Sequence, residues 1–452
     1  MCGRAASRVV YVNCCNLKFE MNRPLSFCMI TTFYPPYSLG GDGIFVQRLA
    51  RELARRGHSV DVIHCIDSYK FLTGCEPQQI TEDHPNITVH GLRSPFGALS
   101  PIATQQTGLP LFKSARIQQI LSKGFDVINY HNISLFGPGV LEYGQAVKLY
   151  TLHEYWLVCP THVLFKFNQA ACTEPKCFTC TLRYKRPPQW WRYTGLLENQ
   201  IRHVDAFLAP SRFGKEAHKG MNPDIPITHL PSFVPAAEIF EESAGEAEQK
   251  PYFLFAGRLE NLKGLQTLIP VFRRRQQANL LVAGSGNYES ELRQLAKGSD
   301  NIKFLGHLDQ KRLQALYRRA VAVVIPSICF EMFPLVILEA FQQQTPVIAR
   351  NLGGMKEIIE ESSGGALYNS EEELMAAIDQ MLADPIYRRE MGMHGYEAYQ
   401  RNWTVDAYLN RYFDLINKIK YEKDGRPATS PDSIESQHPD EEKDVEELLQ
   451  NF

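Results

Sequence analysis

The sequence predicts an α/β protein of two doubly wound domains, each a parallel β-sheet covered by helices on both faces. Three observations support this fold class. Short apolar runs alternate with longer amphipathic segments along most of the 452 residues, and strands that are apolar throughout are typical of parallel sheets covered on both faces. The alternation occurs in two series, separated by a segment rich in Pro, Glu and Ala. Glycine-rich turns follow several strands, at the sheet edge where such folds bind ligands.

The first series predicts a domain over residues 26–232. Its apolar runs indicate buried strands at Phe27–Thr32, Val60–Ile66, Ile87–Leu92, Val127–Tyr130, Val147–Leu152 and Ala206–Ala209. A helix is predicted at Ile44–Arg56, because Val46, Leu49 and Leu53 share one helical face. An insertion over 157–195 follows the fifth strand.

The second series predicts a domain over residues 251–400, after a linker at 233–250. Its strands are indicated at Phe253–Ala256, Leu280–Ala283, Ile302–Leu305, Val321–Ile325 and Val347–Ala349. A terminal helix is predicted over 401–420, with Tyr408, Tyr412, Leu415 and Ile416 on one side. Residues 421–452 are charged and poor in apolar residues, which predicts a disordered tail with a short helix at Val445–Leu449. Residues 1–25 are interpreted as a disordered leader. The alternative is that the start of the protein is assigned too far upstream, because Met21 directly precedes the first strand.

Composition and charge exclude several classes of protein. A hydrophobic content of 44% with 22% charged residues is the balance of a globular chain. The formal net charge of −2 gives no overall basic field, so no nucleic-acid partner is expected. The apolar runs fall short of the ~20 residues that cross a bilayer, and the first residues form no signal peptide. With eleven scattered cysteines, these features predict a cytoplasmic protein without a disulfide framework.

A loop with two cations follows the first strand of the second series. Gly257 and Arg258 come directly after Phe253–Ala256, and Lys263 follows in the same loop. Glycine lets the backbone approach a ligand closely, and the arginine fork and lysine ammonium together suit a diphosphate. Gly284 starts a tight turn after the next strand. Taken alone, each feature is more often an ordinary surface loop or strand-to-helix turn.

Two glutamates flank the start of an apolar helix that follows the strand Val321–Ile325. Pro334 suits the first helical position, where its missing N–H is not needed, so Glu331 lies in the preceding loop and Glu339 inside the helix. The amides near Phe333–Leu335 are expected to face an anion. Glu339 can return toward the cleft and accept hydrogen bonds from vicinal hydroxyls. A carboxylate without a partner in so apolar a helix costs free energy. The sequence therefore favours a role in ligand binding for these glutamates over a solvated position on the surface.

The combination of these motifs resembles the donor site of glycosyltransferase family 4, a large retaining family with the GT-B fold. It consists, in this order, of the Gly257-Arg258-Leu259…Lys263-Gly264 loop and of the pair Glu331 and Glu339. The resemblance covers about residues 27–420. It implies two Rossmann-like domains facing each other across a cleft, with the terminal helix crossing back to the first domain.

The resemblance also implies roles for individual residues. Arg258 and Lys263 are expected to contact the diphosphate of a nucleotide-sugar donor, and Glu339 its ribose hydroxyls. Glu331 is expected to hold the donor sugar near its reacting face. Backbone amides around Phe333–Leu335 are expected to contact the sugar or phosphate. The family expectation is a front-face reaction in which the leaving phosphate helps to deprotonate the acceptor.

The first domain carries two further candidate positions. Gly41 lies in a glycine-rich run before the helix Ile44–Arg56, which suits either close approach to a phosphate or a flexible connector. His153 follows the strand Val147–Leu152, where it can bond a sugar hydroxyl or stabilise charge at the reacting centre. A structural histidine is the alternative. The resemblance favours the functional role for both, with His153 as a catalytic residue beside Glu331.

Four cysteines cluster in the insertion, at Cys159, Cys172, Cys177 and Cys180. Thiolates at this spacing can enclose a tetrahedral zinc ion with a structural role. An iron–sulfur centre uses the same ligands, and four unligated thiols are the remaining alternative. No Asp-x-Asp motif accompanies the donor site, so no metal ion is expected to be required for catalysis. The basic and aromatic stretch over 183–193 suits either a lipid-linked or anionic acceptor at a membrane surface or packing between domains.

The leading hypothesis is a hexosyltransferase that moves a sugar from a UDP- or GDP-sugar to a glycan or lipid-linked acceptor, in glycoconjugate or polysaccharide biosynthesis. It is expected in the cytoplasm, with peripheral contact at the inner membrane surface as an additional hypothesis. The alternative is a catalytically silent scaffold that binds a nucleotide sugar, against which the full set of candidate residues argues. A third alternative, a nucleotide-sugar epimerase, would require more carboxylates and histidines in the cleft than these motifs supply. The sugar, base and acceptor stay open, because pocket shape sets selectivity.

Overall fold

A computed structural model describes residues 23–77, 82–220, 225–237 and 250–425. The strands of the first domain are β1 Ser26–Ile30, β2 Ser59–Cys65, β3 Ile87–Leu92, β4 Val127–Tyr130, β5 Val147–Thr151, β6 Phe165–Lys166, β7 Ala170–Ala171, β8 Ala206–Ala209 and β9 Ile227–His229. Its helices are α1 Gly41–Arg55, α2 Ile66–Thr73, α3 Leu99–Thr107, α4 Ser114–Leu121, α5 Cys177–Arg183, α6 Leu196–Ile201 and α7 Arg212–Lys219.

The first domain is a seven-stranded parallel sheet in the order β3-β2-β1-β4-β5-β8-β9. Strand β1 is central, because Phe27 pairs with Val60 on one side and with Val127 on the other. The strand order reverses between β1 and β4. In open α/β sheets this switch point leaves a crevice at the carboxyl ends of the strands.

The second domain continues the numbering. Its strands are β10 Tyr252–Ala256, β11 Asn279–Ala283, β12 Ile302–Gly306, β13 Ala322–Ile325, β14 Val347–Arg350 and β15 Gly365–Tyr368. The helices that follow are α8 Leu265–Arg273, α9 Glu289–Leu295, α10 Gln310–Arg319, α11 Leu335–Gln342, α12 Gly354–Ser362, α13 Glu371–Ala383, α14 Pro385–Asn402 and α15 Val405–Lys423. The sheet is again parallel, in the order β12-β11-β10-β13-β14-β15, with its switch point between β10 and β13. The predicted α/β class with two Rossmann-like sheets is confirmed.

Alternation of side chains in the buried strands builds a core on each face of each sheet. In β1, Cys28 and Ile30 enter one apolar cluster, while Phe27 and Met29 enter the cluster on the opposite face. Successive residues of a strand point to opposite faces, so a strand buried on both sides has to be apolar throughout. This explains why the strands read as unbroken apolar runs in the sequence.

Helix α15 leaves the second domain and packs on the first. Tyr408, Tyr412 and Ile416 are buried in the same cluster as Phe27. The hydroxyl of Tyr412 accepts a hydrogen bond from the Asn129 side-chain amide at 3.0 Å. The predicted crossing helix is confirmed, although it begins at Val405, after the separate helix α14.

Three segment boundaries differ from the sequence predictions. Arg23 bonds Asp126 at 2.6 Å and Leu25 is buried, so the first domain includes residues assigned to the leader. Phe233 and Val234, at the start of the predicted linker, are buried within the domain cores. Helix α15 extends to Lys423, past the predicted start of the charged tail.

Other segment predictions fall on residues that the structure does not describe. These are 1–22 of the leader, 238–249 of the linker, and 426–452 of the tail with its helix at Val445–Leu449. Among the described residues, no helix combines the length and apolar character needed to cross a membrane.

Candidate active site

Glycines let three loops of the second domain stack closely at its switch point. Gly284 has φ +136°, and a Cβ there would stand 1.9 Å from the Gly257 carbonyl oxygen. Gly264 has φ +74°, and a Cβ there would stand 1.8 Å from the Pro326 carbonyl oxygen. Both positions therefore exclude a side chain on steric grounds as well as by backbone conformation. The turns after β10, β11 and β13 consequently meet at one edge of the sheet.

Lys263 and Glu331 form an ion pair at this edge. The ammonium of Lys263 lies 2.7 Å from Glu331 Oε1, and the Ser327 hydroxyl donates to the same oxygen at 2.8 Å. Their side chains are 26% and 14% exposed. Burial raises the pKa of the Glu331 carboxyl, but Lys263 and Ser327 outweigh it, so the pKa lies below its ordinary value. Glu331 is therefore a carboxylate at neutral pH.

Arg258 lies at the outer rim of the same group. Its guanidinium pairs with Glu260 at 2.7 Å, and half of the side chain is exposed. Its charge lowers the pKa of Glu331 and opposes the rise in the pKa of Lys263, which places it near both groups. Each cation of this group is paired with a carboxylate, Arg258 with Glu260 and Lys263 with Glu331, and both keep donors that suit an anionic ligand.

Glu339 lies within α11 and faces the other domain. Its Oε1 lies 2.8 Å from Arg48 Nη2 of α1, and the Tyr317 hydroxyl donates to its Oε2 at 3.2 Å. The prediction of Pro334 at the first helical position is wrong by one residue. With ψ near +107°, Pro334 is the N-cap, and its carbonyl accepts from Ile337 N–H at 3.0 Å. Helix α11 begins at Leu335, which leaves Glu339 one turn inside it.

The loop before α11 lies between the two domains. Phe333 packs on the core of the second domain, and Leu335 packs on that core and on the first domain. Met332 enters the core of the first domain. Within the described part of the chain, no side chain caps α11, so its first amides keep the capacity to bind a ligand.

His153 stands after β5, paired with a second histidine that follows β4. Its Nε2 lies 2.9 Å from His131 Nδ1, and His131 Nε2 lies 3.4 Å from Met29 Sδ. Burial lowers the pKa of His153, against the raising effect of Asp42 and Glu154. Burial also holds the pKa of His131 well below its ordinary value. Both imidazoles are neutral at pH 7. His131 is buried with both ring nitrogens engaged, which leaves His153 as the one that can exchange hydrogen bonds with a sugar hydroxyl.

Helix α1 begins at Gly41, before the predicted start at Ile44, so Gly41 opens the helix rather than preceding it. Gly41 is exposed, and a Cβ there would meet no heavy atom within 4 Å. The neighbouring Asp42 accepts from Asn132 Nδ2 and from Gly43 N–H, each at 2.9 Å, and its charge acts on His153. The structure thus brings the glycine-rich run and His153 to the same switch point.

The two domains contact each other beside these groups. The rings of Phe213 and Phe330 stack across the interface at 4.9 Å. Glu357 of the second domain accepts from the Arg212 backbone N–H at 2.7 Å. Tyr155, two residues after His153, lies close enough to Glu331 for that carboxylate to raise its pKa, after the larger effect of burial. The candidate residues of both domains therefore face a shared cleft.

The four clustered cysteines line one small cavity in the insertion. All four are free thiols. Among the described residues, no three His, Cys, Asp or Glu side chains already form a set of metal ligands. The structure therefore places Cys159, Cys172, Cys177 and Cys180 together without itself assigning an ion to them.

Four residues of the site lie outside the motifs identified in the sequence. His131 follows the strand Val127–Tyr130, and the strand-end position that singled out His153 would have found it. Ser327 likewise follows a strand, but serine is common in such turns. Arg48 and Tyr317 lie within helices α1 and α10, and their contacts with Glu339 depend on how those helices pack.

Comparison with known proteins places this geometry in a family. The model of the glycosyl transferases group 1 matches residues 237–398, and that of glycosyltransferase family 4 matches 39–238. A glycosyltransferase of Methanocaldococcus jannaschii is 26% identical over 419 residues, covering 87% of this chain and 96% of that protein. Among solved structures, sucrose-phosphate synthase of Thermosynechococcus elongatus aligns over 88% of this chain and 100% of its own, at 21% identity and TM-score 0.70. Anabaena HepE in complex with UDP-glucose aligns over 87% and 100%, at 16% identity and TM-score 0.63.

The fold and its cleft thus define a GT-B protein of two Rossmann-like domains. The two models together span residues 39–398. The chain belongs to the group 1 glycosyltransferases of the family 4 type, and it is a glycosyltransferase.

Proposed function

We propose that this protein is a retaining hexosyltransferase that uses a nucleotide-sugar donor, with UDP- and GDP-sugars as the first candidates. The observation that carries the proposal is the convergence of Arg258, Lys263 and Glu331 at one switch point, with His153 at the facing one. Cations that suit a diphosphate thus stand opposite a neutral imidazole that suits sugar hydroxyls.

The second domain would bind the donor. Arg258 and Lys263 would neutralise the diphosphate as negative charge develops on the leaving group. The carboxylate of Glu339 keeps acceptor capacity beyond its bonds to Arg48 and Tyr317, so two ribose hydroxyls can still donate to it. Complexes of HepE with UDP-glucose support a nucleotide sugar in a protein of this fold.

The first domain would position the acceptor and the donor sugar. In the proposed front-face reaction the bond from the anomeric carbon to the phosphate oxygen breaks, and a bond to the acceptor oxygen forms on the same face. The proton of the acceptor hydroxyl passes to the leaving diphosphate. His153 would bond a sugar hydroxyl, and Glu331 would hold the donor sugar.

A glycan or lipid-linked molecule is the proposed acceptor. A cavity of about 220 Å³ lies in the first domain beyond the cysteine cluster. Its lining combines apolar residues such as Leu157, Leu197 and Ile201 with the charged residues Arg192 and Glu198. Trp190 and Tyr193 are exposed nearby. Such a mixed surface suits an amphipathic acceptor at a membrane surface.

The test is thermal stabilisation by a panel of UDP-, GDP- and ADP-sugars, followed by assays of nucleotide release with glycan and lipid-linked acceptors. We expect one donor class to stabilise the protein and to be consumed. The anomeric configuration of the product, compared with that of the donor by NMR, tests retention. Inversion would overturn the retaining assignment while leaving the donor site intact.

Variants separate binding from chemistry. Glu339→Ala and Arg258→Ala are expected to lose donor stabilisation, whereas His153→Asn should retain it and lose turnover. Lys297→Ala is the matched control, because Lys297 is exposed on the same domain away from the cleft. Stabilisation without turnover by any acceptor would favour the scaffold alternative. Absence of stabilisation by every donor, in folded protein, would contradict the proposal.

A further inference from the structure

The insertion after β5 brings its four cysteines together from three separate pieces of backbone. Cys159 lies in the loop after β5, and Cys172 directly follows the hairpin of β6 and β7. Cys177 and Cys180 occupy the first turn of α5. All four line the same cavity. Burial raises the pKa of the Cys172 thiol, and the other three cysteines lie close enough to raise it further.

Cations surround these thiols. The cavity is lined by Lys166 and Lys176, and no carboxylate is among the described residues that line it. Arg192 lies near Cys159 and Cys177, and it lines the neighbouring cavity together with Cys177. Four thiols beside three cations form an environment suited to a group of net negative charge.

Of these three cations, Arg192 is the one whose contacts argue most directly for a negatively charged group at the cysteines. Its guanidinium stacks on Trp191 at 4.5 Å and donates to the carbonyls of Leu157, at 3.0 Å, and Trp156. Its remaining bond is to the Gln189 side chain at 2.5 Å. Within the part of the chain that the structure describes, no carboxylate pairs with Arg192. A guanidinium enclosed in this way favours a group of negative charge beside it, such as a metal ion bound by four thiolates.

Two of the sulfur atoms already accept or share hydrogen bonds. The Phe167 backbone N–H donates to Cys180 Sγ at 3.3 Å. The Thr161 hydroxyl lies 3.2 Å from Cys159 Sγ. Outer-shell hydrogen bonds of this kind orient metal ligands, and they stabilise a thiolate more than a thiol. The hairpin is also tied to α5, because the Tyr184 hydroxyl donates to the Phe165 carbonyl at 2.6 Å.

We propose that Cys159, Cys172, Cys177 and Cys180 bind one zinc ion in a tetrahedral site with a structural role. Four thiolates on Zn²⁺ leave a net charge of about −2, which complements Arg192, Lys166 and Lys176. Because the thiols do not yet form a ligand set, binding includes an inward movement of these side chains.

The site would fix the wall of the cleft next to His153. Arg192 links the cluster to the carbonyls of Trp156 and Leu157, within four residues of His153. His162, three residues after Cys159, bonds Glu154 at 2.8 Å. The ion would therefore hold the backbone beside the proposed catalytic histidine without touching substrate. The proposal does not depend on the donor or on turnover.

Metal analysis of the purified full-length protein tests the site directly. We expect about one zinc ion per chain, released when the thiols are modified, and tetrahedral cobalt–thiolate absorption after exchange with Co²⁺. The double variant Cys177→Ser with Cys180→Ser is expected to lose the zinc. Cys75→Ser is the matched control, since Cys75 is exposed and outside the cluster, and it should retain the full zinc content.

Three outcomes would overturn the proposal, and all are read on the unmodified protein, so they do not depend on the variants folding. One is zinc well below stoichiometric amounts after growth in zinc-supplemented medium. Another is iron with acid-labile sulfide, which would assign an iron–sulfur centre. The last is a mass lower by four hydrogen atoms, with the four cysteines joined in two disulfides.

Discussion

Arg48 Nη2 lies 2.8 Å from Glu339 Oε1, and this contact joins α1 of the first domain to α11 of the second. The two side chains are 20% and 22% exposed, so solvent screens the pair only in part. The pair thus links the relative position of the domains to the carboxylate proposed to bind the ribose.

Arg48→Ala is expected to weaken donor binding by roughly 3- to 10-fold, because Glu339 loses its partner and the domains lose a contact worth about 1 kcal/mol. The measurement is the donor dissociation constant by calorimetry. Arg51→Ala is the matched control: Arg51 lies on the same helix but pairs with Asp83 inside the first domain, at 2.9 Å. Equal effects of both variants would show that the interdomain pair has no special role.

Lys263→Met is expected to lower donor affinity by about 10- to 100-fold, since it removes a charge-assisted contact worth about 1.5–3 kcal/mol. It also removes the group that keeps the pKa of Glu331 low, so that pKa should rise. The pH dependence of donor binding by wild type and variant measures both effects. Lys297→Met, at an exposed position, should match the wild type. Unchanged affinity in Lys263→Met would remove Lys263 from the donor site.

Gly284→Ala is expected to destabilise the second domain by about 1–3 kcal/mol or more, because the new Cβ would stand 1.9 Å from the Gly257 carbonyl. Displacement of that turn should also reduce donor binding. Gly298→Ala is the comparison. Gly298 has φ +80° but open space around its Cβ position, so only the backbone cost of about 1 kcal/mol applies. Chemical denaturation measures both variants, and a loss in Gly284→Ala no larger than in Gly298→Ala would contradict the steric argument.

Stability should fall as the pH drops below about 6.5, and His218 is one cause. Burial lowers the pKa of His218 to about 4, so between pH 4 and 6.5 the unfolded chain binds a proton that the native protein excludes. Each such group makes the free energy of unfolding decrease by up to about 1.4 kcal/mol per pH unit over that range.

His218→Gln should reduce the dependence of the unfolding free energy on pH by up to the contribution of one such group, about 1.4 kcal/mol per pH unit. This expectation holds whatever the substitution does to stability at pH 7. Denaturation between pH 4.5 and 7.5 measures it. The exposed His203→Gln is the control and should keep the slope of the wild type. A slope that is identical in His218→Gln would show that His218 binds its proton as readily in the native protein as in the unfolded chain.

The sequence by itself determined the two parallel sheets and the position of most motifs. A strand buried on both faces has to be apolar throughout, so β4 and β8 are visible as runs with the same bounds that the structure gives. Because carboxyl ends of parallel strands share one edge, motifs after β10 and β13 had to lie near each other. Lys263 and Glu331 accordingly meet at 2.7 Å.

Only the tertiary structure decided which groups complete these motifs. Arg48 reaches Glu339 across the interdomain contact, and His131 reaches His153 because β4 and β5 are neighbours in the sheet. Arg192 reaches the cysteine cluster because its segment packs against Trp156. Such contacts depend on domain placement and side-chain direction, which are set by packing over the whole molecule, whereas hydrophobic periodicity records only whether each element is buried.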